Sequence, residues 1–207
     1  MARKPIKKRP TTEAHDEKRA EIMQHCAALF DKVGYHKASM QMLADEVGLG
    51  KPTLYHYFPS KHAILYAIHD THISALLDGL NSSGEEERDP RSRLRSACID
   101  ILREIADHPG YVRAFMDHYR DLEGKLRKQI RAQRNEYLDR LRAIITDGID
   151  AGQFHNCDPT LTAYAFLGMC NWAHKWYPPL ASKQTPEEVA DALCRPFFDG
   201  LCLTPND

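Results

Sequence analysis

The chain has 207 residues, 43% of them hydrophobic, with a formal net charge of −1, so it can fold around a real core as one large or two small domains. No apolar run approaches the roughly 18 residues of a membrane span, and the charged N-terminus lacks the apolar stretch of a secretory signal. We therefore expect a cytoplasmic location, no membrane partner, and six cysteines kept as reduced, mostly buried thiols, since none forms a CxxC pair.

The near-neutral total hides a split. Residues 1–61 carry eleven Lys/Arg against seven Asp/Glu, and the remainder seventeen against twenty-two. A basic front on an acidic body points to an anionic partner at one end. Residues 1–12 hold Arg3, Lys4, Lys7, Lys8 and Arg9 with two prolines and almost nothing to bury. They read as a disordered basic arm suited to phosphates or a minor groove, although a solubilising tail would have the same composition.

Helical periodicity begins at about residue 13. Ile22, Cys26, Leu29 and Val33 share one face, and Gly34 closes a helix over 13–33. Ser39 can cap the next helix, whose face carries Met40, Leu43, Ala44 and Val47. Gly48 stands where that helix must stop. Gly50 starts another, with Pro52 in its first turn, where a missing N–H costs nothing. Leu54 and Phe58 point inward, which leaves Lys51, Thr53, Tyr55, His56 and Tyr57 outside. A second helix with an apolar back and a polar, aromatic, basic front is what a DNA-reading helix-turn-helix needs. Residues 13–60 thus form a three-helix DNA-binding domain.

The rest, 61–207, is helical almost throughout. Ser60 can cap a helix over 61–80, and a polar loop follows over 81–90. A helix over 91–107 is broken by His108-Pro109-Gly110, and a short one follows over 111–119. A long helix spans 122–151. Asp158-Pro159 opens the next, which carries Phe166, Met169, Trp172 and Trp176 and stops at Pro178-Pro179. Thr185 and Glu188 form a capping box for the last helix, which runs toward Leu201 and which Pro196 should kink or end. The fold class is all-α.

These residues resemble the TetR family of bacterial transcriptional regulators. The resemblance rests on Ile22, Ala28, Phe30, Gly34-Tyr35, Ser39-Met40, Leu43-Ala44, Val47-Gly48, Thr53 to Phe58 and Ser60-Lys61. It implies about nine helices: an N-terminal helix-turn-helix domain and a C-terminal domain for effector binding and dimerisation. It implies base reading by Lys51, Pro52 and Thr53 on the recognition helix. Gln41 would face bases or phosphates, and Tyr55, Tyr57 and Lys61 would hold phosphates, with Ser39 and His56 on the same surface. The chemistry agrees, because lysine donates to guanine and tyrosine hydroxyls suit phosphate oxygens. Ala38 and Gly50 depart from the family's usual threonine and serine and blur which bases are read.

The resemblance further implies a homodimer on a palindromic operator of double-stranded DNA. The last two helices would pair with their twins through Ala165, Gly168, Ala192, Phe197, Phe198 and Leu201. An effector would bind among the middle helices. Candidate lining residues are Ile73, Leu77, Ile105, Phe115, Met116, Tyr119, Tyr137, Leu141, Phe166, Met169 and Trp172, an apolar, aromatic set that favours an apolar ligand. Residues 168–178 and 185–190 resemble members of the family that control lipid or steroid catabolism, several of which respond to acyl-CoA thioesters. Lys175 would then meet the phosphates.

Competing readings are weaker. Gly48 to Thr53 fails as a phosphate loop, because Asp45 and Pro52 stand where glycine and Ser/Thr are needed. No GxSxG or HExxH is present, so no catalytic residues, metal ligands or cofactor are expected and the chain does not read as an enzyme. A metal-sensing regulator, or a helical small-molecule-binding protein without DNA readout, remain the alternatives.

Overall fold

The computed structural model describes residues 12–81 and 89–201. The basic arm, apart from Thr12, and most of the polar loop lie outside the described residues. Nine α-helices and no strand form among the described residues. Three make the front: α1 (Thr12–Val33), α2 (Met40–Glu46) and α3 (Lys51–Tyr57). Six follow: α4 (Lys61–Asn81), α5 (Pro90–Asp107), α6 (Pro109–Asp117), α7 (Gly124–Asp150), α8 (Pro159–Trp172) and α9 (Pro186–Leu201).

Side chains in the sequence set most helix starts. The Ser39 hydroxyl accepts from the Met42 amide at 3.2 Å. Asp89 accepts from the Ser92 amide at 3.1 Å, and Asp158 from the Thr160 and Leu161 amides at 2.7 and 3.1 Å. Thr185 and Glu188 bond reciprocally, the Thr185 amide to the carboxylate at 2.8 Å and the Glu188 amide to the hydroxyl at 3.2 Å. Each cap satisfies amides that a first turn leaves unpaired.

Three expected boundaries differ. His108 alone separates α5 from α6, because Pro109 fits the first turn of α6. The α-helix of α8 ends at Trp172, and tight 3-10 turns at Ala173–Lys175 and Pro178–Leu180 continue the chain. Pro196 does not end α9. It lies on the exposed face, beside an exposed Ala192, so the carbonyl it leaves unbonded is on the water side.

Two apolar clusters fill the interior. The rear one joins α4, α5, α7, α8 and α9 around Leu94, Leu102, Leu141 and Phe166. The front one gathers Ile22, Phe30, Leu43, Leu54 and Ile64, and it also takes Tyr111 and Ala114 from α6, Leu122, and Ile130 from α7. The front helices therefore have no core of their own. Gly110 lets α6 approach α1, since a Cβ there would stand 3.2 Å from the backbone of Ala27 and Ala28. The five described cysteines are unpaired, and burial pushes the Cys26 thiol up to about 12, which makes it inert at neutral pH.

Gly148 lies inside α7 under the ring of Phe154, which folds back over the helix. An added Cβ would fall 2.3 Å from that buried ring. Gly→Ala inside a helix ordinarily gains about 1 kcal/mol. Here overpacking outweighs that gain, and Gly148→Ala is expected to destabilise the protein by about 1–2 kcal/mol. A urea melt checks it, and an upward shift of the midpoint contradicts the packing.

Candidate nucleic-acid interface and effector cavity

The chain from α2 to α3 is built by backbone geometry. Gly48 is left-handed, with φ of 64°, and the Leu49 amide reaches back to the Ala44 carbonyl at 2.9 Å. A residue with a Cβ is strained there. Gly50 caps α3 with its carbonyl, which accepts from the Thr53 and Leu54 amides at 2.9 and 3.1 Å. Leu54 is 0% exposed and Phe58 1%, and the Arg19 guanidinium covers the Phe58 ring at 4.6 Å. This buried spine turns Lys51, Pro52, Thr53, Tyr55 and His56 to solvent.

Other expected contact residues are partly engaged within the chain. Ser39 serves as the α2 cap, and Gln41 donates to Asp45 at 2.8 Å. Tyr57 is half-buried and stacked on His15 of α1, with ring centres 4.8 Å apart. No signal in the sequence links positions 15 and 57.

Lys61, expected at a phosphate, is also engaged within the chain. Its ammonium donates to the carbonyls of Tyr35, His36 and Ala38 at 3.0, 3.2 and 3.1 Å and lies 4.7 Å from the centre of the Tyr35 ring. Three donors meet three acceptors within the chain. Lys61 ties the start of α4 to the turn between α1 and α2.

The helices behind line a half-open pocket of about 60 Å³. Ile73, Phe115 and Tyr137 of the expected lining reach it. Leu77, Ile105, Leu141 and Phe166 are buried in the surrounding core, and Met116 and Met169 pack against it half-buried. Tyr119 is half-buried beside Arg134. Trp172 is not a lining residue, being 63% exposed. Ala163, Phe166 and Cys170 set the inward face of α8, and Trp172 is two residues, about 200°, past Cys170. Lys175 is exposed, 3.8 Å from Asp117.

The residues expected at a dimer surface divide. Ala165, Gly168 and Ala192 are exposed, and Ala165 and Gly168 share the outer face of α8 with Leu161, Tyr164 and Trp172. Phe198 is instead core, 2% exposed, with the Arg91 guanidinium over its ring at 4.9 Å. Phe197 is half-buried against Phe166, with ring centres 5.7 Å apart. Val189, Ala190, Cys194 and Phe198 form the inward face of α9. The Leu201 side chain lies outside the described residues.

The polar part of the lining is absent from the expected set. Arg134 lines the cavity, with its guanidinium 4.5 Å from the centre of the Phe115 ring and 4.6 Å from that of Tyr119. Burial lowers its pKa, and its Nη1 has no hydrogen-bond partner. His69 is 0% exposed with neither ring nitrogen bonded, and burial together with the Arg134 charge lowers its pKa to about 3, so it is neutral. His72 bonds Glu104 at 2.9 Å. A signal exists: Arg134 falls between Ile130 and Tyr137, and His69 between Leu65 and Leu76, on otherwise apolar stripes. No group of three or more potential metal ligands forms among the described residues.

A three-helix head with a one-sided recognition helix, set on a helical body with a half-open pocket, defines a helix-turn-helix DNA-binding regulator. The chain belongs to the TetR family. Residues 22–68 match the model described as "Bacterial regulatory proteins, tetR family", and residues 87–201 the model "Tetracyclin repressor-like, C-terminal domain". It is 32% identical over 106 residues to the transcriptional activator FasR of Mycolicibacterium smegmatis, a match covering 50% of this chain and 48% of that protein. Among solved structures it is similar to the regulator PfmR from Thermus thermophilus (31% identity, TM-score 0.80, 86% of this chain and 97% of that one). It is also similar to AibR in complex with isovaleryl coenzyme A and operator DNA (27% identity, TM-score 0.77, 87% and 98%).

Replacing Lys61 by Ala is expected to cost about 2 kcal/mol of stability, the loss of charge-assisted bonds to three carbonyls. With its ammonium held by three carbonyls, Lys61 is expected to leave the salt-dependence slope of DNA binding unchanged. Urea melts and a salt titration of DNA binding read the two effects separately. An unchanged melt with a slope reduced by about one would restore the phosphate role.

Proposed function

We propose that this protein is a homodimeric transcriptional repressor that leaves its operator when a small apolar effector, an acyl-CoA thioester being the candidate, binds among α4 to α8. The exposed face of α3 on its buried spine is the observation that carries the DNA-reading part. Residues 13–60 act as the reading head, and residues 61–207 bind effector and partner subunit in the cytoplasm. Two heads about 34–36 Å apart would face a palindromic site.

The outer face of α8 supports dimerisation. Leu161, Tyr164 and Trp172 are 68%, 57% and 63% exposed, an apolar patch beside the small residues Ala165 and Gly168. Such a patch on a soluble chain marks an interaction surface. The cavity behind Phe115 and the likeness to AibR with its bound thioester support the effector reading. Effector binding would bias α4 and α6, both packed on α1, and move the heads off operator spacing.

The test compares operator and random duplex DNA across salt. A regulator shows a steep log-log fall in affinity from its phosphate contacts. Tyr55→Ala is expected to weaken both DNAs alike. Lys51→Ala should erode the preference for operator, by about 1–3 kcal/mol if it meets a guanine. Equal losses on both DNAs for Lys51→Ala, or no salt slope in the parent protein, would refute the reading.

A further inference from the structure

Six arginines of the body are neutralised by carboxylates. Arg93, Arg95, Arg103, Arg113, Arg140 and Arg142 each pair with an Asp or Glu at 2.5–2.9 Å. The first half of α7 gathers unpaired cations on one side. Arg127, Lys128, Arg131 and Arg134 have no carboxylate partner among the described residues. They lie along one side of the helix, at spacings of three and four.

Residues of this stripe line two voids. An open cleft of about 410 Å³ is lined by Tyr119, Gly124, Arg127, Lys128 and Arg131, with no acidic residue in its wall. The half-open pocket of about 60 Å³ has Arg134 and Phe115 in its wall. Tyr119 joins them: the Arg127 guanidinium lies 5.6 Å from its ring centre and that of Arg134 4.6 Å. Arg134 is the inner end of the stripe, with its buried Nη1 unbonded. A buried N–H without an acceptor is costly, and a ligand oxygen relieves that cost.

We propose that this α7 stripe is the polyphosphate track of the effector site: Arg127, Lys128 and Arg131 hold the phosphates of a coenzyme A headgroup, Arg134 receives the thioester carbonyl, and the acyl group enters the cavity beyond Phe115. This rests on the effector reading above and names the ligand class and its receptor. Guanidinium forks match phosphate oxygens, and a cleft without carboxylates lets a multiply charged headgroup approach. The apolar pocket alone would accept a free acid or alkane equally well. The track makes the carrier the larger part of recognition.

Calorimetry with free coenzyme A, a series of acyl-CoA thioesters and the matching free acids tests this on the full chain. The parent protein should bind coenzyme A and bind one or more thioesters more tightly. The double variant R127A/R131A should lose at least about tenfold in affinity for coenzyme A and thioesters alike, the loss of two charge-assisted phosphate contacts. Its urea melt and operator affinity should stay unchanged because both side chains are exposed. Arg134→Lys, which keeps the charge and removes the fork, should weaken thioesters more than coenzyme A. If free acids bind and release operator while the double variant binds thioesters like the parent, the effector reading stands and the track is wrong. If no probe binds the parent, both fall. If the double variant loses operator affinity without effector, the stripe contacts DNA and the proposal is overturned.

Discussion

The reading head is held by packing that it does not own. Leu54 and Phe58, the spine of the recognition helix, lie in one apolar cluster with Tyr111, Ala114 and Ile130, which come from α6 and α7. Gly110 brings the α6 backbone to within van der Waals contact of α1, and Arg113 clamps the pair by bonding Asp31 at 2.6 and 2.7 Å. A close-packed interior deforms in discrete repackings rather than continuously. Any shift of α6 must therefore be met by α1, and through α1 by α2 and α3. The same contacts that stabilise this small head also tie its position to the body.

Lys61 belongs to that constraint. It gathers the Tyr35, His36 and Ala38 carbonyls at the turn between α1 and α2, so α4 is fixed to the head at its first residue. Asp121 adds a link across the same joint, 3.1 Å from His36 and 2.9 Å from His118. Further along α4, His69 and His72 face Phe115 of α6, with ring centres 5.1 and 4.6 Å apart. One helix thus touches the head at one end and the cavity wall at the other. The His69 ring is neutral, its pKa lowered by burial and by the Arg134 charge.

Much of this is legible in the sequence because it is written locally. Asp89, Asp158 and the Thr185–Glu188 pair announce helix starts through side chains that bond amides two or three residues away. Gly48 marks the turn because only glycine meets its backbone angle without strain. What the sequence conceals depends on partners distant in the chain. Lys61 reads as a surface lysine until three carbonyls more than twenty residues away close on it. Trp172 and Phe198 lie on the sides opposite to those expected, because a large apolar residue near a helix end fits either face and the register of its neighbours decides. Arg134 reads as one charge among many on α7, although its place between Ile130 and Tyr137 puts it on the inward face.

Through α1, α4 and α6, head and body pack as one unit. Hydrogen exchange with and without saturating duplex DNA measures this most directly, because binding at one site must alter any site coupled to it. We predict that DNA changes the exchange of α6 and the first half of α7, which lie outside the helix-turn-helix, together with that of α1 to α3. A change confined to α2 and α3, with α6 and α7 exchanging as in the free protein, would contradict the account.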